Sequence, residues 1–456
     1  MKNFILVVFG ILTLGACQKE GSREVTNQTS PNGQAFTFMP IYQDGVTDVT
    51  IEFAWPTTWA YEADKNPAVP FVGSQAILSG GTSELSPQDV LIMFEDKNAF
   101  GDMEVQTQHI IGSISFPKEY VDEVLDVVQE MLARPQFNDR WLEREKSEFS
   151  KNVEINNSNT DYKMWTAARY AIFGDQPANR TFSLADPNII AAVTQSDVRL
   201  WHRDVITKTG VTVVVTGAIS AKDAGVAVDH LLADLPDGQP VEMQSASANF
   251  APVEIYLHDP DAPQTVIGFV GQLPVDDEVV LYEDYLAMGF FSRAGQSPLF
   301  DAVRTELRAS YNMYGGSSAF DRSTPFLFMG GGVDANKLVD ARDVVEATYE
   351  SYRVQPNMEG FSDFRRDLAD QVAENIDYID LAAQAILDAR LNGLDPSFVP
   401  NAWDTVTNTL AVDVANRMKK GYPRGDQLIV VAAGPKPADL PGACVITQPE
   451  QAEDCR

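Results

Sequence analysis

The order of strand-like and helix-like segments in this 456-residue chain runs through once and then repeats. In the first pass, residues 36–40 and 49–53 read as a pair of strands, followed by an apolar helix over 68–78 that stops at Gly80-Gly81. Ser86-Pro87 starts another helix, with serine as N-cap and proline in the first turn, where its missing N–H costs nothing. Residues 104–116 alternate like a strand. Residues 120–132 place Val121, Val124, Val127, Val128 and Met131 on one helical face. Residues 211–216 are continuously apolar, as in a strand buried on both faces, and a helix over 220–235 closes the pass. The second pass has a pair of strands at 253–257 and 266–270 and a helix at 282–291, and repeats the Ser-Pro start at Ser297-Pro298. Strands at 311–317 and 326–331 and a helix at 336–353 follow. Helices at 361–375 and 382–392 match those at 141–154 and 165–173, and the helix–strand pair 405–419 and 428–433 matches 194–205 and 211–216. A repeat this long is a duplicated domain rather than a solenoid unit. The expected architecture is α+β: two tandem homologous halves, each a mainly antiparallel sheet packed against helices. They span 35–238 and 252–456, with a Pro/Ser/Gln/Ala-rich linker over 239–251.

Residues 1–16 read as an export signal: Lys2, then an apolar run over 4–14 too short to span a bilayer. The run ends Leu14-Gly15-Ala16-Cys17, which resembles the lipobox of bacterial lipoproteins. That resemblance implies acylation of Cys17, and Gln18 after it implies sorting to the periplasmic face of the outer membrane. Residues 17–34, rich in Ser, Asn, Thr and Gly, read as a flexible tether. With Cys17 lipidated, Cys444 and Cys455 are left flanking a short Pro-containing loop in an oxidising compartment. A disulfide between them is expected, two free thiols being the alternative. The formal charge of -31 argues against a nucleic-acid partner, which requires clustered Lys and Arg.

The second half carries the most specific signals. His258-Asp259-Pro260-Asp261-Ala262-Pro263-Gln264-Thr265 and Ser297-Pro298-Leu299-Phe300-Asp301-Ala302-Val303-Arg304 resemble two motifs of the insulinase/pitrilysin-type zinc peptidases. The second run continues to Tyr311, matching an Arg and a Tyr seven positions apart, and Tyr314 falls where a second aromatic is common. The resemblance implies that Arg304 and Tyr311 bind substrate beside the scissile bond and stabilise the oxyanion. A guanidinium and a phenol are donors suited to that charge.

Active members of that family carry H-x-x-E-H on the first helix of the first half, two His for zinc and a Glu for the attacking water. Counting back from Thr82 places the motif on Val72-Gly73-Ser74-Gln75-Ala76, where no residue is a zinc ligand or general base. The third ligand would fall near Asn152 or Glu154. The remaining histidines, His109, His202, His230 and His258, are scattered, and Gly315-Gly316 and Gly330-Gly331-Gly332 lack the Lys-Ser/Thr of a phosphate loop. No catalytic residue, metal or cofactor is therefore expected in this chain. The resemblance implies a substrate-binding subunit whose homologous partner holds the zinc and degrades peptides in the periplasm. The competing expectation is a binding or scaffold lipoprotein without a proteolytic role.

Overall fold

In a computed structural model the described residues are 23–456, apart from 44, 107, 178, 180–185, 245, 276–281, 294, 296 and 438. The side chains of 306 and 310–312 also lie outside the description, as does Cys17. The strands of the first half are β1 Thr26–Thr29, β2 Ala35–Pro40, β3 Asp48–Pro56, β4 Phe100–Gln106, β5 His109–Pro117 and β6 Thr212–Gly217. Those of the second are β7 Glu254–His258, β8 Thr265–Gln272, β9 Ser310–Ala319, β10 Pro325–Val333, β11 Ile429–Gly434 and β12 Cys444–Ile446. The sheet orders are β1-β2-β6-β3-β5-β4 and β12-β7-β11-β8-β10-β9, so all strands but the first in each order correspond one to one. Pairing is antiparallel except for β2–β6, β7–β11 and β7–β12. The duplicated α+β architecture is therefore present in the topology itself.

Three local expectations need correction. The strands expected to pair in each half do not: β6 lies between β2 and β3, parallel to β2 and antiparallel to β3, and β11 lies in the same way between β7 and β8. The last strand of the half inserts at the centre, which is why its apolar run is continuous. The 104–116 strand is two strands, β4 and β5, which pair antiparallel with Gln106 opposite His109. The expected tether over 17–34 also ends earlier, because Thr26–Thr29 pairs with β2 as an edge strand. Its polar side chains suit an edge that water reaches on one side.

Each sheet is buried on both faces, and the strand period of two divides the work. On the first sheet Ile51, Phe53, Val213 and Val215 pack against helices of their own half, with Val72, Leu125, Trp201 and Leu231. Ala54, Ile111 and Val214 point the other way and meet Ile379, Ala383, Ile386 and Leu387, from the helix Ile379–Leu391 of the second half. The exchange is reciprocal. The helix Thr160–Phe173 of the first half lies on the second sheet, where Met164, Ala167, Ala168 and Ala171 meet Leu257, Val266, Val431 and Ala433. These are the two helices matched as equivalents in the sequence repeat. The expected domains 35–238 and 252–456 are thus repeats in sequence; each packs a core of its own on one face of its sheet, and a helix of the other half covers the second face. Each fully buried Ile or Leu on the crossed helices contributes about 2 kcal/mol, so the exchange joins the halves firmly.

Glycines let the crossing happen. A Cβ on Gly268 would stand 2.8 Å from Met164 Cε, and one on Gly330 would stand 2.8 Å from Trp165 Cζ2. Gly330 in the triple-glycine run thus provides room for an indole. At the other edge Cys444 and Cys455 form a disulfide with Cα atoms 5.7 Å apart. It joins β12 to the end of the turn Pro449–Asp454, whose Ala452 packs with the crossed helix Thr160–Phe173. Replacing both cysteines by serine is expected to lower stability by about 2–3 kcal/mol, measured by denaturant melts of oxidised protein. No helix among the described residues is long and apolar enough to cross a membrane.

Candidate functional site

The helix Val69–Ser79 packs across the first sheet and is where a zinc motif would sit. Val72 is 0% and Ala76 1% exposed, so the two positions that would bear histidines belong to the core. A Cβ on Gly73 would meet the Trp201 ring at 2.6 Å. Gln75 Nε2 donates to the Met103 carbonyl at 2.6 Å, which fastens the helix to β4. Asn152 and Glu154 are exposed on the helix Asp139–Ser158. Among the described residues no three His, Cys, Asp or Glu side chains are grouped to hold a metal ion.

The histidines have other partners. His202 Nε2 pairs with the Leu132 carbonyl at 2.7 Å, His230 Nε2 with Asp126 at 2.8 Å, and His258 Nε2 with the Pro435 carbonyl at 3.2 Å. His109 is pushed down to about 4 by burial, and is therefore neutral at pH 7.

Arg304 lies on a π-helical turn, Asp301–Glu306, that continues a short helix capped by Ser297, whose Oγ accepts from the Phe300 N–H at 3.2 Å. Leu299, Ala302 and Val303 anchor this segment in the core, while Arg304 is exposed with its guanidinium carbon 5.4 Å from the centre of the Phe300 ring. Single π-turns of this kind recur at functional sites. The Tyr311 backbone runs in the edge strand β9; its side chain lies outside the described residues, so the spacing of the Arg304–Tyr311 pair is not defined. Tyr314, three residues on, holds the crossed helix: its hydroxyl donates to Asp161 at 2.9 Å and accepts from Trp165 Nε1 at 2.8 Å. Burial pushes its phenol well above the usual range.

Three neighbouring cavities, unannounced by any motif, line the junction of the halves. Under the helix Thr160–Phe173 is an apolar pocket of about 310 Å³ walled by Trp165, Tyr314, Phe320, Phe326 and Phe328. Under the helix Ile379–Leu391, at the equivalent place in the first half, is a pocket of about 330 Å³ lined by Glu52, Asp102, Glu104, Asp380 and Asp388. A cavity of about 700 Å³ shares Phe320 with the first and Gln106 and Asp388 with the second. Burial raises Glu52 to about 7, and burial with the neighbouring Glu104 raises Asp388 to about 6. The lining comes from both halves, so no local motif could have announced it. These cavities and the open edge strands β4 and β9 can hold an extended chain by shape, apolar contact and main-chain pairing.

Residues 192–365 match the family described as Peptidase M16 inactive domain. The non-peptidase homologue YmxG of Helicobacter pylori is 22% identical over 246 residues, and the chain spans 55% of that relative's length with 52% of its own. Among solved structures, a peptidase M16 inactive domain from Pseudomonas fluorescens has a TM-score of 0.77 at 17% identity, over 90% of this chain and 98% of that one. The periplasmic protease PqqL from Escherichia coli has a TM-score of 0.71 at 13% identity, over 96% of this chain and 50% of that one. The fold is therefore that of M16-like proteins, and the sequence matches support an insulinase-like, inactive peptidase homologue.

Proposed function

We propose that this chain is the non-catalytic, substrate-holding subunit of a two-chain zinc peptidase acting on peptides in the periplasm. The observation that carries the reading is a contrast within one molecule. The positions for zinc ligands have been absorbed into the core, whereas Arg304 remains exposed on a rigidly anchored turn. A buried Val72 and Ala76 leave nothing to activate water. An exposed guanidinium beside an edge strand supplies charge and donors to an active site assembled with a second chain. That this chain covers half the length of PqqL also fits a closed particle of twice its size. In this reading the partner is a homologue bearing H-x-x-E-H and zinc, Arg304 and Tyr311 complete its site, and lipidated Cys17 holds the complex at the outer membrane.

The test is reconstitution. The lone chain is expected to hydrolyse no peptide, and the mixture with a zinc-motif homologue to do so. Arg304→Ala is expected to cut kcat/KM of the mixture about 100-fold, with Arg304→Lys recovering only part, as for loss of one oxyanion donor. An unchanged rate for Arg304→Ala leaves the alternative standing, a peptide- or protein-binding scaffold with the same fold. That alternative is favoured by matches to proteins described as inactive or non-peptidase.

A further inference from the structure

The two crossed helices do the same structural job over opposite chemistry. Beneath Thr160–Phe173 the second sheet offers Phe326 and Phe328. Beneath Ile379–Leu391 the first sheet offers a carboxylic acid, Glu52, which is 5% exposed on β3. The groups around it can be named element by element. Strand β4 contributes Asp102 and Glu104, β5 contributes Ser113 and Ser115, and the helix contributes Asp380, Gln384 and Asp388. From β6 come Val214, against the helix, and Thr216, whose hydroxyl donates to the Ile379 carbonyl at 2.9 Å. Among the described residues no Lys, Arg or His lines this cavity; the larger cavity that Asp388 also borders has His109, Asp321 and Arg322, whose guanidinium donates to the Asn392 carbonyl. The helix's own arginine, Arg390, is engaged elsewhere, with Thr37 Oγ1 at 2.9 Å and with Asn27. Glu52 therefore has the Ser113 hydroxyl beside it and only negative groups farther out.

We propose that the helix Ile379–Leu391 is a proton-operated latch between the two halves, seated while the buried Glu52 carries a proton and loosened when it ionises, with Asp388 at the exposed rim adding to the repulsion. A buried carboxylate without a cation is costly, and the charges of Asp102, Glu104, Asp380 and Asp388, exposed around the rim of the cavity, add a repulsion that water partly screens. Glu52 at about 7 and Asp388 at about 6 both stand above their ordinary 4.5 and 3.8. The seated state therefore binds protons more tightly than a released one. Its grip is complete below those ordinary values and is lost progressively as pH rises to about 7. The same helix carries Asp388 and Leu391 into the large cavity at the junction, so its release widens that space. The latch does not depend on what the cavity binds.

Amide hydrogen exchange of the full chain tests it, with rates at pH 5.5 and 8.5 corrected for intrinsic chemistry. Protection of 379–391 is expected to fall at least tenfold between the two, while 160–173, over its aromatic pocket, changes less than twofold. Glu52→Gln, which keeps the shape and removes the charge, is expected to abolish most of the change. Asp388→Asn, on the solvent side of the helix, is expected to reduce it without Glu52 being touched. The same response in both helices, or an undiminished one in both variants, overturns the proposal.

Discussion

Restoring the zinc motif, Val72→His with Gln75→Glu and Ala76→His, is expected to give a protein that hydrolyses no peptide and is less stable by about 4 kcal/mol or more. Val72 and Ala76 are closed off by the core, so two imidazoles must enter packed space with no partners for their nitrogens. Overpacking alone costs about 1–3 kcal/mol per site, and each buried unsatisfied polar group about as much again. The Gln75→Glu change would also lose the bond that Gln75 donates to the Met103 carbonyl, since a carboxylate has no hydrogen to give. Denaturant melts give the stability, and metal analysis with a peptide assay gives the chemistry. Peptide hydrolysis with one bound zinc per chain would show that the helix presents these positions to a cavity rather than to the core.

The second large effect is expected at the crossing. Gly330→Val should destabilise the protein by about 3 kcal/mol or more, because the new side chain occupies the place of Trp165. Its Cβ alone would lie 2.8 Å from Trp165 Cζ2 and 3.1 Å from the Ile267 carbonyl oxygen, and the indole is held by its bond to Tyr314. The neighbouring Gly268→Ala should cost less, since the flexible end of Met164 can move. Combining Gly330→Val with Trp165→Leu is expected to recover at least half the loss, measured as the coupling in a double-mutant cycle. Full additivity of the two losses would show that the glycine serves the strand and not the helix above it.

Much of the fold was legible because it was written twice. The Ser-Pro helix starts, the amphipathic helix over 120–132 and the apolar run over 211–216 are local signals, and local signals survive reading without a partner. The capping bond from Asp89 N–H to Ser86 Oγ and the box it completes are present as the pattern requires. Other features were opaque for a common reason. Nothing in residues 160–173 states which sheet its alanines will meet, because two homologous sheets offer similar apolar faces. The segment 104–116 alternates smoothly although Gln106 pairs back onto His109, so the period of two hides the reversal. Glu52 sits in the alternating run 49–53 like any solvent-facing strand residue, and only the helix from the other half buries it.

The candidate site divides the same way. The absence of His and Glu from residues 72–76 is a statement about residue types, and no tertiary structure was needed to make it. That these positions are core, and that Arg304 stands exposed above a buried anchor, required the packing. The aromatic and acidic cavities needed more still, since each is built from strands of one half and a helix of the other. The sequence alone therefore determined that the chain is a duplicated α+β protein without a metal motif. Tertiary structure decided that the copies exchange helices and so enclose the cavities between them. The reason is that periodicity and capping act over a few residues, whereas a sheet's second face can be covered by any apolar helix that reaches it.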